Sequence, residues 1–324
     1  MNRRTMIQAT LAAAAIGAVR PAVAQSFPTR SVRMVVPYAP GGGTDIVARI
    51  MAQAASDASG QSFVVENRGG GASIPGTQAV ATATPDGYTV GFVDSALVTN
   101  PGLFGDRLPY DTERDLAPVG LVAVAPLVLV APQSTPTPTV QDVVARAKAQ
   151  PGTIAIGHAG NGTAVHLASA QFGLVTETSL LPVAYRGAGP MLTALLSGDI
   201  QIAFSAIPSA KPHIDSGRLR ALAVTAPRRS TALPDVPTFA EAGWPGVDTL
   251  SLFGIVAPSA TPAAVLDRLN ALLVASARGP ATAVRLAELG FDVQATSREA
   301  FAGLIHSEIA KWRSTIERAG IKAE

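Results

Sequence analysis

A glycine-rich turn, Gly41-Gly42-Gly43, joins a valine-rich run that ends at Pro37 to a helical pattern that begins at Asp45. Glycines let backbone amides approach a ligand closely, and the first turn of a helix presents unpaired N–H groups at the positive end of its dipole. An anion gains about 0.3–1 kcal/mol there, and up to about 2 kcal/mol in a partly buried site. The turn therefore predicts carboxylate or phosphate binding, although it is neither a Walker P-loop nor a GxGxxG motif. Asp45 would either complement the helix dipole or accept a hydrogen bond from the ligand.

A second loop has the same design, with a strand pattern over 153–157, a Gly-Asn-Gly turn and then a helix. Asn161 or Thr163 can cap that helix. Its N-terminal amides could face those of the first loop across a cleft, so that closure would depend on an anionic ligand. His166 lies about one turn into the helix, where a histidine more often satisfies a neighbour than binds a ligand.

Side chains that could catalyse a reaction are sparse. Ser95 and Ser205 each follow a predicted strand but lack the G-x-S-x-G pattern of a nucleophile elbow, and the four histidines lack metal-ligand spacing. The absence of cysteine excludes disulfides, thiolate metal sites and cysteine catalysis. We therefore expect no enzyme activity, no metal and no cofactor, although a Ser/His/Asp set assembled from distant positions stays open.

Short runs rich in Val and Ile alternate with segments of helical period, which favours an α/β fold with mostly parallel sheets. Helices are predicted from Asp45, after Gly162, before Gly198, after Pro262 and from a capping box that starts at Thr296. The predicted strands are Val32–Pro37, Phe63–Glu66, Thr89–Val93, Val119–Ala125, Leu127–Ala131, Thr153–Gly157, Ile200–Ser205, Leu219–Thr225 and Leu252–Ala257.

Two apolar, proline-marked stretches, Leu116–Pro132 and Leu250–Pro262, could each connect two domains. If the chain crosses at both, residues 25–124 and 252–324 form a discontinuous first domain, and residues 125–251 form an inserted second domain. Paired linkers at the base of a cleft are the hinge arrangement by which domains close around ligands.

Residues 1–24 have the pattern of a cleaved export signal. Arg3-Arg4 precede an apolar stretch from Ala9 to Val19 and a small-x-small cleavage site at Ala22-Val23-Ala24. The stretch is about half the roughly 20 residues that a membrane-spanning helix needs, so a membrane anchor is the weaker alternative. The paired arginines resemble the twin-arginine motif, with general secretion as the alternative. We expect a mature protein in the periplasm that is not embedded in the membrane.

Composition and charge exclude other classes of protein. The chain has 324 residues, of which 48% are hydrophobic and 15% charged, so it is too apolar to be disordered and long enough for two domains. Its formal net charge is +2, and loss of Arg3, Arg4 and Arg20 with the signal would leave −1. The remaining basic residues are scattered among few aromatic residues, so we expect no nucleic-acid partner.

Eight motifs run through the mature chain in a specific order and spacing. They are VVPYAPGGGTDIVAR (35–49), VENRGGG (65–71), TPDGYTV (84–90), LPYDTERDLAPVGLVA (108–123), GHAGNGTAVHLA (157–168), VAYRGAGPMLTALLSGDI (183–200), LRALAVTAPRRSTALPDVPTFAEAGWPG (219–246) and LFGIVAPSATP (252–262). On these motifs the chain resembles the Bug family of periplasmic solute receptors, the substrate-binding components of tripartite tricarboxylate transporters.

The resemblance implies a two-domain periplasmic binding protein of type II, a Venus flytrap with two crossover linkers. Such a protein holds a small organic carboxylate between its domains by helix N-terminal amides and bridging waters, and delivers it to the membrane subunits of a tripartite tricarboxylate transporter. We expect a monomer that performs no chemistry. A ligand sensor for a signalling system and, as a weaker alternative, a periplasmic hydrolase remain the competing hypotheses.

The resemblance also implies a set of ligand-binding residues. The first-domain half would consist of Tyr38, Ala39, Gly42, Gly43, Thr44 and Asp45, with Ser95 as a lateral contact. The second-domain half would consist of Gly160, Asn161, Thr163, His166 and Ser205. Arg186 would either offer charge or shape its turn by hydrogen bonds.

The chain departs from the family pattern in three places. It has Ser205 in a run where many relatives have an acidic residue, which argues against an amino-acid ligand. The run 67–72 lacks a common Pro-Gly-Ala-Gly sequence, which affects the turn more than the chemistry. Asp94 replaces part of a small polar run and places a carboxylate near the cleft, where it would counter a second anionic group or receive a cationic one.

Overall fold

The structure, a computed structural model, describes residues 27–160, 162–185 and 187–322. Within these ranges the chain forms ten strands, eleven α-helices and two short 3-10 turns at Gly71–Ser73 and Gly105–Arg107. The strands are β1 Val32–Val36, β2 Phe63–Asn67, β3 Thr89–Asp94, β4 Leu116–Pro132, β5 Ala155–His158, β6 Leu181–Ala184, β7 Ile202–Ala206, β8 Leu219–Val224, β9 Leu250–Pro258 and β10 Asp292–Val293. The helices are α1 Gly43–Ser59, α2 Ile74–Ala81, α3 Ala96–Phe104, α4 Thr112–Asp115, α5 Val140–Ala149, α6 Ala164–Thr176, α7 Ala188–Ser197, α8 Ile207–Asp215, α9 Ala263–Arg278, α10 Pro280–Glu288 and α11 Arg298–Arg318.

The ten strands form one continuous mixed sheet in the order β2-β1-β3-β9-β4-β7-β5-β6, with β8 and β10 also paired to β4. Strand β1 is parallel to β2 and β3, and β5 is parallel to β6 and β7. Every pair that includes β4 or β9 is antiparallel. The α/β fold is confirmed, but the expectation of mostly parallel sheets is wrong at the centre, because β4 leaves one part of the sheet and β9 returns to it in the opposite direction.

Strand β4 is shared by two parts of the sheet. It pairs with β9 from Leu116 through Pro126, and with β7 and β8 from Leu127 through Pro132. We call the part that contains β1, β2, β3, β9 and β10 the first sheet half, and the part that contains β5–β8 the second sheet half. The two stretches predicted as linkers are therefore largely strands, since continuous apolar sequence suits strands that are covered on both faces. The domain boundaries themselves stay a prediction.

Each sheet half has its own apolar core. In the first, Met34 and Phe92 of the sheet pack against Met51 of α1. In the second, Phe172, Phe204 and Phe239 form an aromatic cluster with ring centroids 5.8–6.1 Å apart. These cores fix the ends of the strands from which the loops of interest emerge.

Most predicted strands are confirmed with small changes at their ends, but Val119–Ala125 and Leu127–Ala131 are parts of the single strand β4. Strands β6 and β10 were not predicted. The last helix begins one residue later than its capping box suggests. The Ser297 hydroxyl accepts a hydrogen bond from the Ala300 N–H at 3.2 Å and caps the helix. The Thr296 hydroxyl instead accepts from the Leu121 N–H at 3.1 Å, because it lies against β4.

Among the described helices, none has both the length and the apolarity needed to cross a bilayer. The export signal predicted over residues 1–24 lies outside the described residues, as do Asn161 and Arg186.

Gly76 in α2 holds this helix close to the loop that follows β1. A β-carbon at Gly76 would lie 2.6 Å from the Pro37 Cα and 2.7 Å from the Arg68 carbonyl oxygen. Because both neighbours are backbone atoms, we expect Gly76→Ala to lower the free energy of unfolding by about 1–3 kcal/mol, the usual cost of overpacking. Urea unfolding followed by circular dichroism measures this change.

Gly303→Ala is the matched control, since Gly303 is also helical but exposed, with no atom within 4 Å of its β-carbon position. This variant should stabilise the protein by about 0.5–1 kcal/mol, the helix preference of Ala over Gly. A Gly76→Ala protein with the stability of the wild type would contradict the close approach.

Candidate functional site

A cavity of about 640 Å³ lies between the two sheet halves. The segments that follow β1, β3, β5 and β7 all reach it, as expected for ligand sites at the carboxyl ends of strands in α/β sheets. The lining residues are Tyr38, Gly43, Thr44, Gly71, Ala72, Ile74, Asp94, Ser95, Ala96, Asn100, Leu103, Phe104, Leu127, Gly162, Thr163, Ala164, Val165, Ala206, Ser251, Phe253 and Lys322. The two halves touch beside it, because a β-carbon at Gly162 would lie 2.7 Å from the Leu103 side chain.

The N-terminus of α1 borders this cavity without a side-chain cap. Gly42 precedes the helix in an extended conformation, and no side chain hydrogen-bonds to its first N–H groups. Since the first four N–H groups of a helix have no partner within it, the amides of Gly43 and Thr44 remain for a ligand. Gly41 has a φ of +92°, a conformation that glycine adopts without strain.

Asp45 holds this loop in place through contacts within the protein. Its buried carboxylate accepts hydrogen bonds from the Gly41 N–H at 2.9 Å, Arg49 Nε at 3.0 Å and Asn67 Nδ2 at 2.9 Å. Burial raises the pKa of Asp45, but these three donors outweigh burial and leave the pKa below its ordinary value. Asp45 thus fixes the turn against β2 and does not line the cavity.

The N-terminus of α6 reaches the cavity from the second sheet half. Several of its donors are already used: the Thr163 hydroxyl accepts from the His166 N–H at 3.4 Å, and the Gly162 N–H donates to His166 Nδ1 at 3.1 Å. The Thr163 N–H and hydroxyl both donate to the Gly160 carbonyl oxygen. The amides of Ala164 and Val165, in the first turn of the helix, remain for a ligand.

Asp94 brings a carboxylate to the cavity wall beside α1. Its Oδ1 accepts hydrogen bonds from the Tyr38 hydroxyl at 2.9 Å and the Ala96 N–H at 3.0 Å, and its Oδ2 accepts from the Thr44 hydroxyl at 3.1 Å. Burial raises the pKa of Asp94 more than these donors lower it. Burial and then the charge of Asp94 raise the pKa of Tyr38 well above its ordinary value, so its hydroxyl stays protonated.

Ser95 connects the start of α3 to the returning strand β9. Its buried hydroxyl accepts from the Leu252 N–H at 3.0 Å and lies 3.5 Å from the Leu250 carbonyl oxygen. Ser95 therefore lines the cavity while fixing β9 near the point where the chain returns to the first sheet half.

The structure brings five of the predicted ligand-binding residues to one cavity and leaves the others elsewhere. Those on the lining are Tyr38, Gly43, Thr44, Ser95 and Thr163. The described residues off the lining are Ala39, Gly42, Asp45, Gly160, His166 and Ser205, and Asn161 is not described. Ser205 is fully buried in β7, where its hydroxyl donates to the Ala206 carbonyl oxygen at 3.2 Å.

His166 faces away from the cavity lining. Its ring stacks on that of His158 with centroids 4.1 Å apart, and it borders a separate groove of about 270 Å³. Burial, followed by the charge of His158, lowers the pKa of His166 to about 4. His166 is therefore neutral at neutral pH, which leaves Nδ1 able to accept the Gly162 N–H.

Sequence reasoning missed one face of α3 and several isolated contacts. Ala96, Asn100, Leu103 and Phe104 lie on one side of this helix and line the cavity. Their helical spacing just after the end of a predicted strand was the signal that could have identified them. Lys322 arrives from the chain's C-terminal segment by tertiary packing, which no local pattern predicts.

A second cavity, of about 600 Å³, lies beside β4 and β9 and includes Lys311. That lysine already pairs with Asp248 at 2.8 Å and with Glu308 at 3.5 Å, so its charge serves contacts within the protein. Among the described residues, no group of three His, Asp or Glu side chains could hold a metal ion. The cavity between the sheet halves is thus the stronger candidate for an anionic ligand.

Comparisons with known proteins agree with this geometry. A family model described as "Tripartite tricarboxylate transporter family receptor" matches residues 47–321. Protein BugT of Bordetella pertussis is 34% identical over 95% of both chains. Among solved structures, R. palustris Rpa4515 with adipate is 34% identical with a TM-score of 0.79 over 91% of this chain and 99% of that one. MatC of Rhodopseudomonas palustris with bound malate is 29% identical with a TM-score of 0.77 over 90% of this chain and all of the other.

The lowered pKa of His166 predicts a loss of stability in mild acid. Its folded pKa of about 4 lies below the ordinary 6.5, so the unfolded chain binds the proton more tightly and stability falls as pH drops from 6.5 towards 4. Between pH 7.5 and pH 5 this group should remove about 1–2 kcal/mol from the free energy of unfolding. Urea unfolding at the two pH values measures the loss, which His166→Gln should reduce by that amount.

His213→Gln is the control for this prediction, because His213 lies near the end of α8, outside the lining of the cavity. It should keep the wild-type loss between the two pH values. An equal loss in wild type and His166→Gln would show that His166 does not carry the effect.

Proposed function

Since the chain belongs to the tripartite tricarboxylate transporter receptor family, we propose that it is a periplasmic receptor that binds a small organic carboxylate and delivers it to a membrane transporter. Its solved neighbours include a TctC solute binding protein from Polaromonas, and two others contain adipate and bound malate. The ligands of those neighbours share the carboxylate group, which is the chemistry that helix N-terminal amides suit. The predicted signal over residues 1–24 would deliver the chain to the periplasm.

The observation that carries this proposal is the convergence of two helix N-termini on one cavity. Gly43 and Thr44 of α1 line it from the first sheet half, and Ala164 and Val165 of α6 line it from the second. The amides at both positions are outside the helical hydrogen-bond ladders. A carboxylate between them would accept hydrogen bonds from both halves and gain from both helix dipoles.

The same geometry supports a closing motion. We take residues 25–124 with 252–324 as one domain and residues 125–251 as the other, with the change of partners in β4 between Pro126 and Leu127 near the boundary. Only a ligand that contacts both domains stabilises their approach, because a ligand shifts an equilibrium by its difference in affinity for the two states. The carboxylate of the ligand would supply this difference in affinity by hydrogen-bonding to the N-terminal amides of α6.

A thermal-shift screen of mono-, di- and tricarboxylates against the purified protein tests the proposed function. A ligand at 100 times its Kd should add about 2.7 kcal/mol of stability. For a chain of this size, that stabilisation corresponds to a rise in Tm of roughly 5–10 °C. Isothermal titration and recovery of the unchanged ligand then distinguish binding from turnover. The proposal fails if no carboxylate raises Tm or if the ligand is consumed.

Removing single amide donors tests the two helix N-termini separately. Gly43 and Ala164 each hold the first position of a helix after an extended residue, and proline is favoured there although it has no N–H. We therefore expect Gly43→Pro and Ala164→Pro to fold, and to weaken carboxylate binding about ten- to hundredfold, the usual loss for a hydrogen bond to a charged group. Titration calorimetry with the strongest ligand from the screen measures this.

Two variants serve as matched controls. Gly43→Ala keeps the N–H, and its β-carbon would make only an ordinary contact at 3.9 Å with Phe291. Ala263→Pro places the same residue at the first position of α9, where Ala263 is exposed and off the cavity lining. Both should bind as the wild type does. Unchanged binding by Gly43→Pro or Ala164→Pro would remove that helix N-terminus from the site.

A further inference from the structure

The cavity between the sheet halves contains a carboxyl group of the protein itself. Asp94 is held by the Tyr38 hydroxyl, the Thr44 hydroxyl and the Ala96 N–H, all of them neutral donors. In the described part of the chain, Asp94 forms no ion pair with a lysine or arginine. The carboxylate is thus fixed in position while its charge is not neutralised by a neighbouring cation.

This charge lies next to the amides that would hold the ligand. The Thr44 hydroxyl bonds to Asp94 Oδ2 at 3.1 Å, while Thr44 is also in the first turn of α1. Asp94 therefore occupies part of the positive field of this helix terminus. One ligand carboxylate can still bind between the N-termini of α1 and α6. A second anionic group near the first sheet half would lie close to Asp94 and be repelled by its carboxylate.

Apart from the exposed Lys322, the remaining described walls offer no positive charge to a second anion. Away from Asp94 they are largely apolar side chains from both halves, among them Ile74, Leu103, Phe104, Leu127, Val165 and Phe253. An ionised group against such a surface loses hydration without a compensating partner. Lys322 is the one basic residue on the described lining, and its side chain is exposed.

We propose that Asp94 makes this site selective for monocarboxylates with an apolar body over dicarboxylates of the same length. This inference rests on the proposed function and names its ligand class. The carboxylate of the ligand binds the amides of α1 and α6, and its apolar body lies against the walls contributed by α3, α6 and β9. Asp94 repels any anion near the α1 amides, so the cost is larger for a ligand with two carboxylates than for a ligand with one.

Hexanoate and adipate are suitable probes, because they share a six-carbon chain and differ in one carboxylate. Titration calorimetry at pH 8 keeps both acids ionised. We expect the wild type to bind hexanoate at least tenfold more tightly than adipate, a difference of about 1.4 kcal/mol. Benzoate and terephthalate provide a second matched pair with a rigid body.

Asp94→Asn isolates the charge from the shape of the site. Asparagine can accept from Tyr38 and Ala96 as the carboxylate does and is also a good residue before a helix, so we expect the variant to fold. It should bind adipate at least tenfold more tightly than the wild type and raise the affinity for hexanoate by a smaller factor, so that the ratio of the two affinities changes. Asp57→Asn makes the same change of charge on an exposed position of α1 away from the cavity and should leave both affinities unchanged.

The outcomes separate this inference from the proposed function. The inference is overturned if the wild type binds adipate as tightly as hexanoate, or if Asp94→Asn leaves the ratio of the two affinities unchanged; carboxylate binding as such would survive either result. Failure of all four acids to bind would overturn the ligand class, whereas the carboxylate receptor fails only if the wider thermal-shift screen also finds no ligand.

Discussion

A single strand shared by two parts of a sheet determines where every other element of this protein can lie. Strand β4 keeps its direction while its partners change from β9 to β7 and β8 between Pro126 and Leu127. The strands that carry loops, β1 and β3 on one side and β5 and β7 on the other, consequently send their carboxyl ends to one cavity. Helix N-termini follow those ends, so the unpaired amides of two distant segments of the chain face one space.

Electrostatics within that space are set by backbone more than by side chains. The positive groups on the lining are chiefly N–H donors of α1 and α6, while Asp94 is fixed by three hydrogen bonds. A cavity that attracts anions through helix dipoles and also contains a carboxyl group tolerates a limited anionic charge in its ligand. Apolar walls then determine how much of the ligand's body can be buried. The chemical class of the ligand therefore depends on the uncharged apolar walls of the cavity as much as on its polar groups.

Local sequence was sufficient for features that depend on local physics. The glycine turn before α1 and the Thr163 cap of α6 are short-range patterns, and both helix starts lie on the cavity as expected. Patterns of this kind do not show which side chains are already used within the protein. Asp45 and His166 were candidates by position, yet Asp45 binds Arg49 and Asn67, and His166 stacks on His158.

The features of the site and of the sheet that local sequence did not predict depend on tertiary packing. The cavity face of α3 and the position of Lys322 depend on how α3 and the C-terminal segment meet the second sheet half, which no window of sequence contains. The antiparallel pairing of β4 and β9 likewise follows from a chain that leaves and returns, and not from the apolar character of either strand.

The two helix N-termini are held in different ways, and this difference indicates how binding and closure would be divided. No side chain caps α1, so its first N–H groups are all available, and the Asp45 contacts keep its loop rigid without a ligand. At α6, the N–H groups of Gly162, Thr163 and His166 are already bound within the loop, which leaves two. On the cavity lining, the two helices therefore offer two amides each, Gly43 and Thr44 from α1 and Ala164 and Val165 from α6. For a ligand already bound to α1, the contacts with α6 would distinguish the closed state from the open one, so they would determine how strongly the ligand favours closure.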